Sequence, residues 1–446
     1  MIYFWIAMGI FIVSFGLIIT ERLDKTKVAL AGAGLIMALN IVTQREAFYD
    51  EKYAIDYNVI FLLFGMMVIV HILSKTGAFQ FLAIKAAKLV KGRPLWILVL
   101  FTGITAIFSS FLNNVTTVLI LVPVSLFIAD ELKLDPFPFL LSEIMASSLG
   151  GTATLIGGPP NILIASKVQL TFMDFIYNLT PGVLFVFFFF ILTIILLFGK
   201  KLRVKEEVRL KIMAIDEHKM IKSYSLLVKS LSVLGLIIPA FIFNKTICME
   251  PATIAILGAS TLLIISKENL QLVLKELEWP TLFYFIGLFI VVAGVVKVGL
   301  ISRLSDYMVA YTKPDAANMF PTSIIILWFS AAASTVMENT ILIASIIPLV
   351  TDMAHTVLPS GLDIKSVIQH PTLMPVWWSL ALGTCLGGNA TPIGASANVV
   401  TLGLAEKAGY PISFKKYLIY AIPLTIEMIA LSTIYIWLRF YIINIY

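Results

Sequence analysis

Charge is scarce in this chain. Asp, Glu, Lys and Arg make up 13% of 446 residues, about half of the ~25% usual in soluble proteins. Cysteine is nearly absent: Cys248 and Cys385 stand far apart in apolar surroundings, which excludes a disulfide framework or a cysteine-built metal cluster. The four histidines are scattered without a His-Glu-x-x-His pair. No Walker A loop is present, so nothing suggests ATP hydrolysis by the chain itself. Gly394-Ala395-Ser396-Ala397-Asn398 begins like a Gly-x-Ser-x-Gly elbow but lacks its final glycine and the strand it needs. An intramembrane hydrolase is thereby a remote second class. The net charge of +6 does not mark a nucleic-acid partner, because the basic residues fall between hydrophobic runs and read as topology signals.

Apolar residues fill the space that charge leaves. They make up 59% of the chain, the mean hydropathy is +0.97, and they gather in runs such as 183–199 and 282–296. About 20 such residues cross a ~30 Å hydrocarbon core. The expected fold is therefore all-α and polytopic, with the lipid bilayer as its first partner. Candidate crossings are 2–20, 27–43, 57–75, 137–167, 175–200, 225–244, 250–267, 280–297, 372–403 and 418–441. The first has no basic residue before it and no small-residue cleavage site after it, so it reads as a retained span. The stretches 95–130 and 320–355 are longer and carry polar centres, Asn113-Asn114 and Glu338-Asn339-Thr340. Re-entrant hairpins buried in protein would satisfy those centres; two full spans around a polar turn are the alternative.

Counted that way, the loops at 21–27, 76–94, 131–136, 200–222, 267–278 and 404–416 share one side with most of the 32 Lys and Arg. By the positive-inside rule that side is cytoplasmic in a cell membrane and both termini lie outside. Treating the two stretches as double spans leaves this orientation unchanged.

An internal repeat organises the rest. Residues 55–77 match 277–299 at an offset of 222. Asn114 pairs with Asn339 and Pro123 with Pro348 at 225. Gly150-Gly151-Thr152-Ala153-Thr154-Leu155-Ile156-Gly157 falls on Gly387-Gly388-Asn389-Ala390-Thr391-Pro392-Ile393-Gly394 at 237, with Asn161 on Asn398. The division is 1–200, a basic linker 201–224, and 225–446. Five crossings per half make the halves inverted relative to one another, the pattern of secondary transporters with a site near the midplane. A passive channel is the less favoured alternative.

The repeated motifs carry the chemistry. Glycine and proline at 150–160 and 387–394 must break the helices that contain them, freeing backbone polar groups. Gly151, Thr152, Thr154 and Asn161 stand beside the first break; Asn389, Thr391, Ser396 and Asn398 stand beside the second. Ser110, Asn113, Asn114 and Thr116 mark the first hairpin tip, Asn339 and Thr340 the second. Their oxygens suit a small polar solute or ion, although polar residues also serve as plain caps. A carboxylate deep in a membrane is costly and usually functional, which makes Glu338 the first candidate for proton coupling and Glu143 the second. Glu427 is a weaker one. His71 reads as packed or interfacial, and Lys297 as snorkelling from its helix end.

Three segments together resemble the ion-transporter superfamily, in its branch of arsenite permeases, sodium/proton antiporters and the melanosomal P protein: 114–117, 150–161 and 381–400. The last looks most like the P protein. The resemblance implies a homodimer whose scaffold helices hold the interface, with hairpins and broken helices sliding as an elevator. It implies a transported small inorganic ion, H⁺ or Na⁺ as coupling ion and no other cofactor. It leaves room for an ATPase partner that nothing in the chain specifies. The branch often has Asp before the first-tip Asn, where this chain has Asn113, and dicarboxylate carriers use Ser-Asn-Thr at both tips. A glutamate at the second tip would repel a dicarboxylate. The expectation is a proton- or sodium-coupled permease for arsenite or a similar ion. A sodium/proton antiporter comes next, then an anion or dicarboxylate carrier.

Overall fold

The computed structural model describes residues 2–19, 23–50, 55–202, 204–206, 208, 209, 213, 216–244, 246–303, 306, 319–357 and 367–443. These residues contain helices and turns, with no strand among them. The first half runs α1 (Ile2–Ile19), α2 (Lys25–Ala38), α3 (Gln44–Tyr49), α4 (Tyr57–Lys75), α5 (Ala78–Leu89), α6 (Pro94–Ser109), α7 (Asn114–Glu131), α8 (Phe137–Ala153), α9 (Pro159–Val168), α10 (Phe172–Asn178) and α11 (Thr180–Phe198). The second runs α12 (Tyr224–Ile242), α13 (Pro251–Ser266), α14 (Leu270–Lys275), α15 (Trp279–Lys297), α16 (Phe320–Ser334), α17 (Asn339–Val357), α18 (Met374–Gly387), α19 (Ser396–Lys407) and α20 (Phe414–Ile436), which ends in a π turn over Trp437–Ile442. Positions 203, 207, 210–212, 214 and 215 of the expected linker lie outside the described residues.

Six helices among the described residues are long and apolar enough to cross a membrane: Tyr57–Lys75, Asn114–Glu131, Thr180–Phe198, Tyr224–Ile242, Trp279–Lys297 and Phe414–Ile442. Shorter apolar helices accompany them, α1, α6, α13 and α16 included. Polar caps set several starts. Asp24 accepts from Lys27 N at 3.1 Å to begin α2. Thr43 and Glu46 form a reciprocal capping box on α3. The crossing expected over 27–43 stops at Ala38, because the chain turns through Asn40 at φ 53°, a left-handed conformation that Asn tolerates.

Each polar-centred stretch is a pair of helices around a short tip: α6 and α7 around 110–113, α16 and α17 around 335–338. Each first arm lies along the broken helix of its own half, α6 on α8 and α16 on α18. The approach is close enough that a Cβ on Gly150 would collide with the Ala106 carbonyl, and one on Gly387 with that of Ala331. α4 packs on α13 and α15 on α2 in the same reciprocal manner, with Gly65 against the Ala255 backbone and Gly287 against that of Ala29. Helix pairs held by small residues at the contact are characteristic of membrane interiors, where lipid removes the hydrophobic drive between helices.

Candidate functional site

The interrupted helices are the centre of the molecule. α8 ends at Ala153 and α9 begins at Pro159; between them Thr154 (φ −129°, ψ 164°) and Gly158 (φ −167°, ψ 151°) are extended. In the second half α18 and a short 3₁₀ turn end at Ala390, and Thr391 (φ −128°, ψ 155°) and Ala395 (φ −143°, ψ 141°) are extended in turn. Pro159 and Pro160 occupy the first turn of α9, where a missing N–H costs nothing.

Each break is closed from within. The Asn161 amide nitrogen, fully buried, points at the carbonyls of Gly151 (3.1 Å), Thr152 (3.0 Å) and Thr154 (2.8 Å). Asn398, equally buried, donates to the carbonyls of Gly388 (2.9 Å) and Thr391 (2.8 Å). Carbonyls left bare in such surroundings would cost several kcal/mol each. Each break is also tied to its tip: Thr154 donates to the Ser110 carbonyl, and Thr391 to that of Thr335 at 2.5 Å. Ser109 donates to Asn114 Oδ1 at 2.7 Å, and Ser334 to Asn339 Oδ1 at 2.6 Å. Asn114 thereby faces Gly151, and Asn339 faces Gly388. Two matching tip–break junctions result, one in each half.

The remaining candidates are placed around these junctions. Asn113 caps α7, accepting from Val115 N at 3.0 Å, and Thr116 in the same first turn is half-buried. Thr152 is turned onto its own helix, donating to the Ser148 carbonyl at 2.6 Å. Asn389 accepts from Ser148 at 2.7 Å, and its backbone carbonyl accepts from Tyr417 at 3.0 Å. The Cys385 thiol lies 3.9 Å from Asn161 Oδ1. Glu143 is fully buried in α8; Ser125 of α7 donates to one carboxylate oxygen and the other has no protein partner. Glu427 accepts from Thr193 at 2.6 Å, and Lys297 pairs with Glu46 at 2.6 Å rather than ending in solvent alone.

Glu338 sits elsewhere, on a cavity of about 300 Å³ whose wall includes Asp24, Lys25, Val336, Ile393 and Ser396. Its carboxylate accepts from Thr340 (3.2 Å) and from Tyr284 of α15 (3.3 Å), and the Lys25 ammonium lies 3.8 Å away. It is a paired carboxylate, not a bare one. Asn114 and Asn339 do not line this cavity. Their amide oxygens are turned toward Ser109 and Ser334 instead. Lys25, Tyr284 and Ser148 were not among the expected site residues. Ser148 was findable, since it and Cys385 are equivalent at the 237 offset.

The chain is similar over most of its length to known transporters. Residues 15–383 match the family model described as citrate transporter. The chain is 40% identical over 438 residues to an uncharacterized transporter of Mycobacterium tuberculosis, covering 98% of this chain and 99% of that one. It is 38% identical over 439 residues to a 46 kDa membrane protein of Mycobacterium leprae, with the same coverage. The P protein of Homo sapiens is 30% identical over 506 residues, which span 97% of this chain and 59% of that protein. Among solved structures, MtrF of Neisseria gonorrhoeae, reported with a class of antimetabolite efflux pumps, superimposes with a TM-score of 0.64 at 11% identity over 92% of this chain and 85% of that one. The YdaH transporter of Alcanivorax borkumensis does so at 0.51 and 13% identity, over 93% and 97%. These last two likenesses concern the fold alone.

Proposed function

The chain belongs to the citrate transporter family, and on that premise we propose that it is a secondary active transporter that moves arsenite or another small inorganic ion by alternating access, coupled to protons at Glu338. The observation that carries this reading is the position of Glu338, a carboxylate at a hairpin tip, on an open cavity of about 300 Å³. A carboxylate that borders a cavity is the group type that can take up a proton on one side and release it on the other. α7, α9, α17 and α19 all begin at the tip–break junctions, and helix starts favour negatively charged groups. The substrate named in the family's description is not carried over, because Glu338 would repel a di- or tricarboxylate.

In this reading the halves are inverted, the basic loops are cytoplasmic, both termini are outside, and the two tip–break junctions travel together as an elevator within a homodimer. A sodium/proton antiporter is the second reading, favoured by the monovalent ammonium of Lys25 already beside Glu338.

The test is uptake into proteoliposomes under an imposed pH gradient, with arsenite and sodium as probes. Glu338→Gln keeps shape and hydrogen bonding, so it should fold, retain solute exchange and lose gradient-driven uptake. Glu143→Gln, on the α7–α8 contact, should have the milder effect. Unchanged pH dependence of uptake in Glu338→Gln would reject the mechanism. Flux that rises linearly with solute and shows no counter-flow acceleration would reject a carrier altogether.

A further inference from the structure

Lys25 opens α2 with its ammonium 3.8 Å from Glu338 Oε1, an ion pair without a hydrogen bond. The same ammonium lies 5.1 Å from the centre of the Tyr284 ring, whose hydroxyl donates to Glu338 Oε2. Side-chain exposure is 36% for Lys25 and 25% for Glu338, so neither is fully enclosed by protein. Glu278, just ahead of α15, is close enough to feel the Lys25 charge.

The second tip alone has this arrangement around it. Asn113 stands where Glu338 does at the 225 offset, and Leu62 where Tyr284 does at 222. Ala29 and Ala255 hold matching places against Gly287 and Gly65, which puts Pro251 in the place of Lys25. The other tip has neither an acid, a phenol nor an amine at these positions.

We infer that Lys25 is the resident counter-ion of Glu338 and that it sets, by competition, how readily the coupling ion occupies that carboxylate. This rests on the reading of Glu338 as the coupling group. Lys25 and Tyr284 belong to one body, since α2 and α15 are packed together and Thr26 donates to the Pro280 carbonyl at 3.0 Å. Glu338 belongs to the α16–α17 tip. Any departure of that tip from α2 and α15 strips Glu338 of its partner, and a bare carboxylate in an apolar interior is expensive. The tip is released when the coupling ion neutralises Glu338 in place of Lys25. The titratable groups facing Glu338 are Asp24 and Lys25 at the start of α2 and Tyr284 on α15, with Glu278 reaching it only through Lys25; across the cavity the second break contributes Ile393 and Ser396, which do not titrate.

Ile18 lines the same cavity and is 6% exposed, so a cysteine there reports release of the tip. The full chain carrying Cys248→Ser and Ile18→Cys is labelled with a small maleimide in proteoliposomes across pH. Rates are normalised to a cysteine at Tyr49, which is 79% exposed. Labelling should rise as pH falls. Lys25→Met should move the midpoint to about fivefold lower proton concentration, the effect of losing one half-exposed ion pair. Lys25→Arg should restore the midpoint, and Glu338→Gln should flatten the profile with or without Lys25→Met. An unmoved midpoint in Lys25→Met, or a profile surviving in Glu338→Gln, overturns the counter-ion role. If that midpoint stays fixed while Glu338→Gln loses gradient-driven uptake, the role of Lys25 falls and the coupling reading stands. If it moves as expected while uptake by Glu338→Gln keeps its pH dependence, the coupling reading falls and the ion pair stands.

Discussion

Ser148 of the first broken helix donates its hydroxyl to the side-chain oxygen of Asn389 in the second at 2.7 Å, across 241 residues of sequence. The Cys385 thiol, which occupies the place equivalent to Ser148, reaches back toward Asn161 at 3.9 Å. The two halves therefore clasp each other at their breaks, in a region without exposed surface. Removing one donor leaves a buried acceptor unpaired, and the Asn389 amide nitrogen already has no partner. Ser148→Ala should lower stability by about 1–3 kcal/mol, read as an earlier unfolding midpoint in detergent. A midpoint equal to that of the parent would mean that the clasp contributes nothing.

The same symmetry predicts paired sensitivity at two glycines. Gly150 and Gly387 face the carbonyls of Ala106 and Ala331 so closely that a methyl group has no room. The obstacles are backbone atoms, so relief requires moving α6 from α8 or α16 from α18. Gly150→Ala and Gly387→Ala should each reduce the folded yield sharply, with overpacking of this kind costing about 1–3 kcal/mol or more. Gly103→Ala is the control, because nothing lies within 4 Å of its Cβ position, and helix propensity favours Ala there. Equal yields for all three would show that the helix pairs can part without cost.

Asn161 and Asn398 should differ in degree. The two N–H groups of the Asn161 amide are shared among three backbone carbonyls and those of Asn398 between two; the Cys385 thiol also faces the side-chain oxygen of Asn161, whereas that of Asn398 has no partner. Asn161→Ala should therefore be the more damaging, each variant losing at least about 1–3 kcal/mol. Thermal unfolding of the two variants side by side measures this. The reverse order would mean that the breaks are satisfied by another route.

Much of this architecture was legible because membrane chemistry is written in long apolar runs and in the residues that interrupt them. The breaks near Thr154 and Thr391 follow from glycine and proline that no helix interior accommodates, and the tips near Asn113 and Glu338 follow from polar residues in apolar surroundings. The pairing of Lys25 with Glu338 was not legible. A lysine between two apolar runs looks like a topology signal, and nothing local reveals that it folds back onto a tip 313 positions later. The end of α2 was misplaced for a similar reason: 39–43 is apolar enough to extend a span, yet Asn40 turns the chain. The partners of Glu338, Lys25 and Tyr284, come from two other helices, so no local pattern identifies them.

The last prediction concerns Glu46, in α3 outside the long apolar helices. Its carboxylate accepts two bonds from the Lys297 ammonium, at 2.6 and 2.7 Å, together with the backbone N–H and hydroxyl of Thr43 at 2.7 and 2.8 Å. The Lys297 bonds are the larger influence and, with Thr43, they hold its pKa down from 4.5 to about 2. A carboxylate whose folded pKa is depressed adds stability that is complete above its unfolded pKa and disappears as pH falls through the folded one. The window here is from about pH 4.5 down to about pH 2. Glu46→Gln keeps an acceptor for Thr43 but removes the charge that Lys297 meets. The unfolding midpoint of the parent should exceed that of Glu46→Gln by a constant margin above about pH 5, and the margin should close as pH approaches 2. Because the pair is exposed to solvent, the margin should be small, and added salt should shrink it at neutral pH. A margin that persists unchanged at pH 2, or that is absent at pH 6, would show that Lys297 and Glu46 do not join α3 to the end of α15.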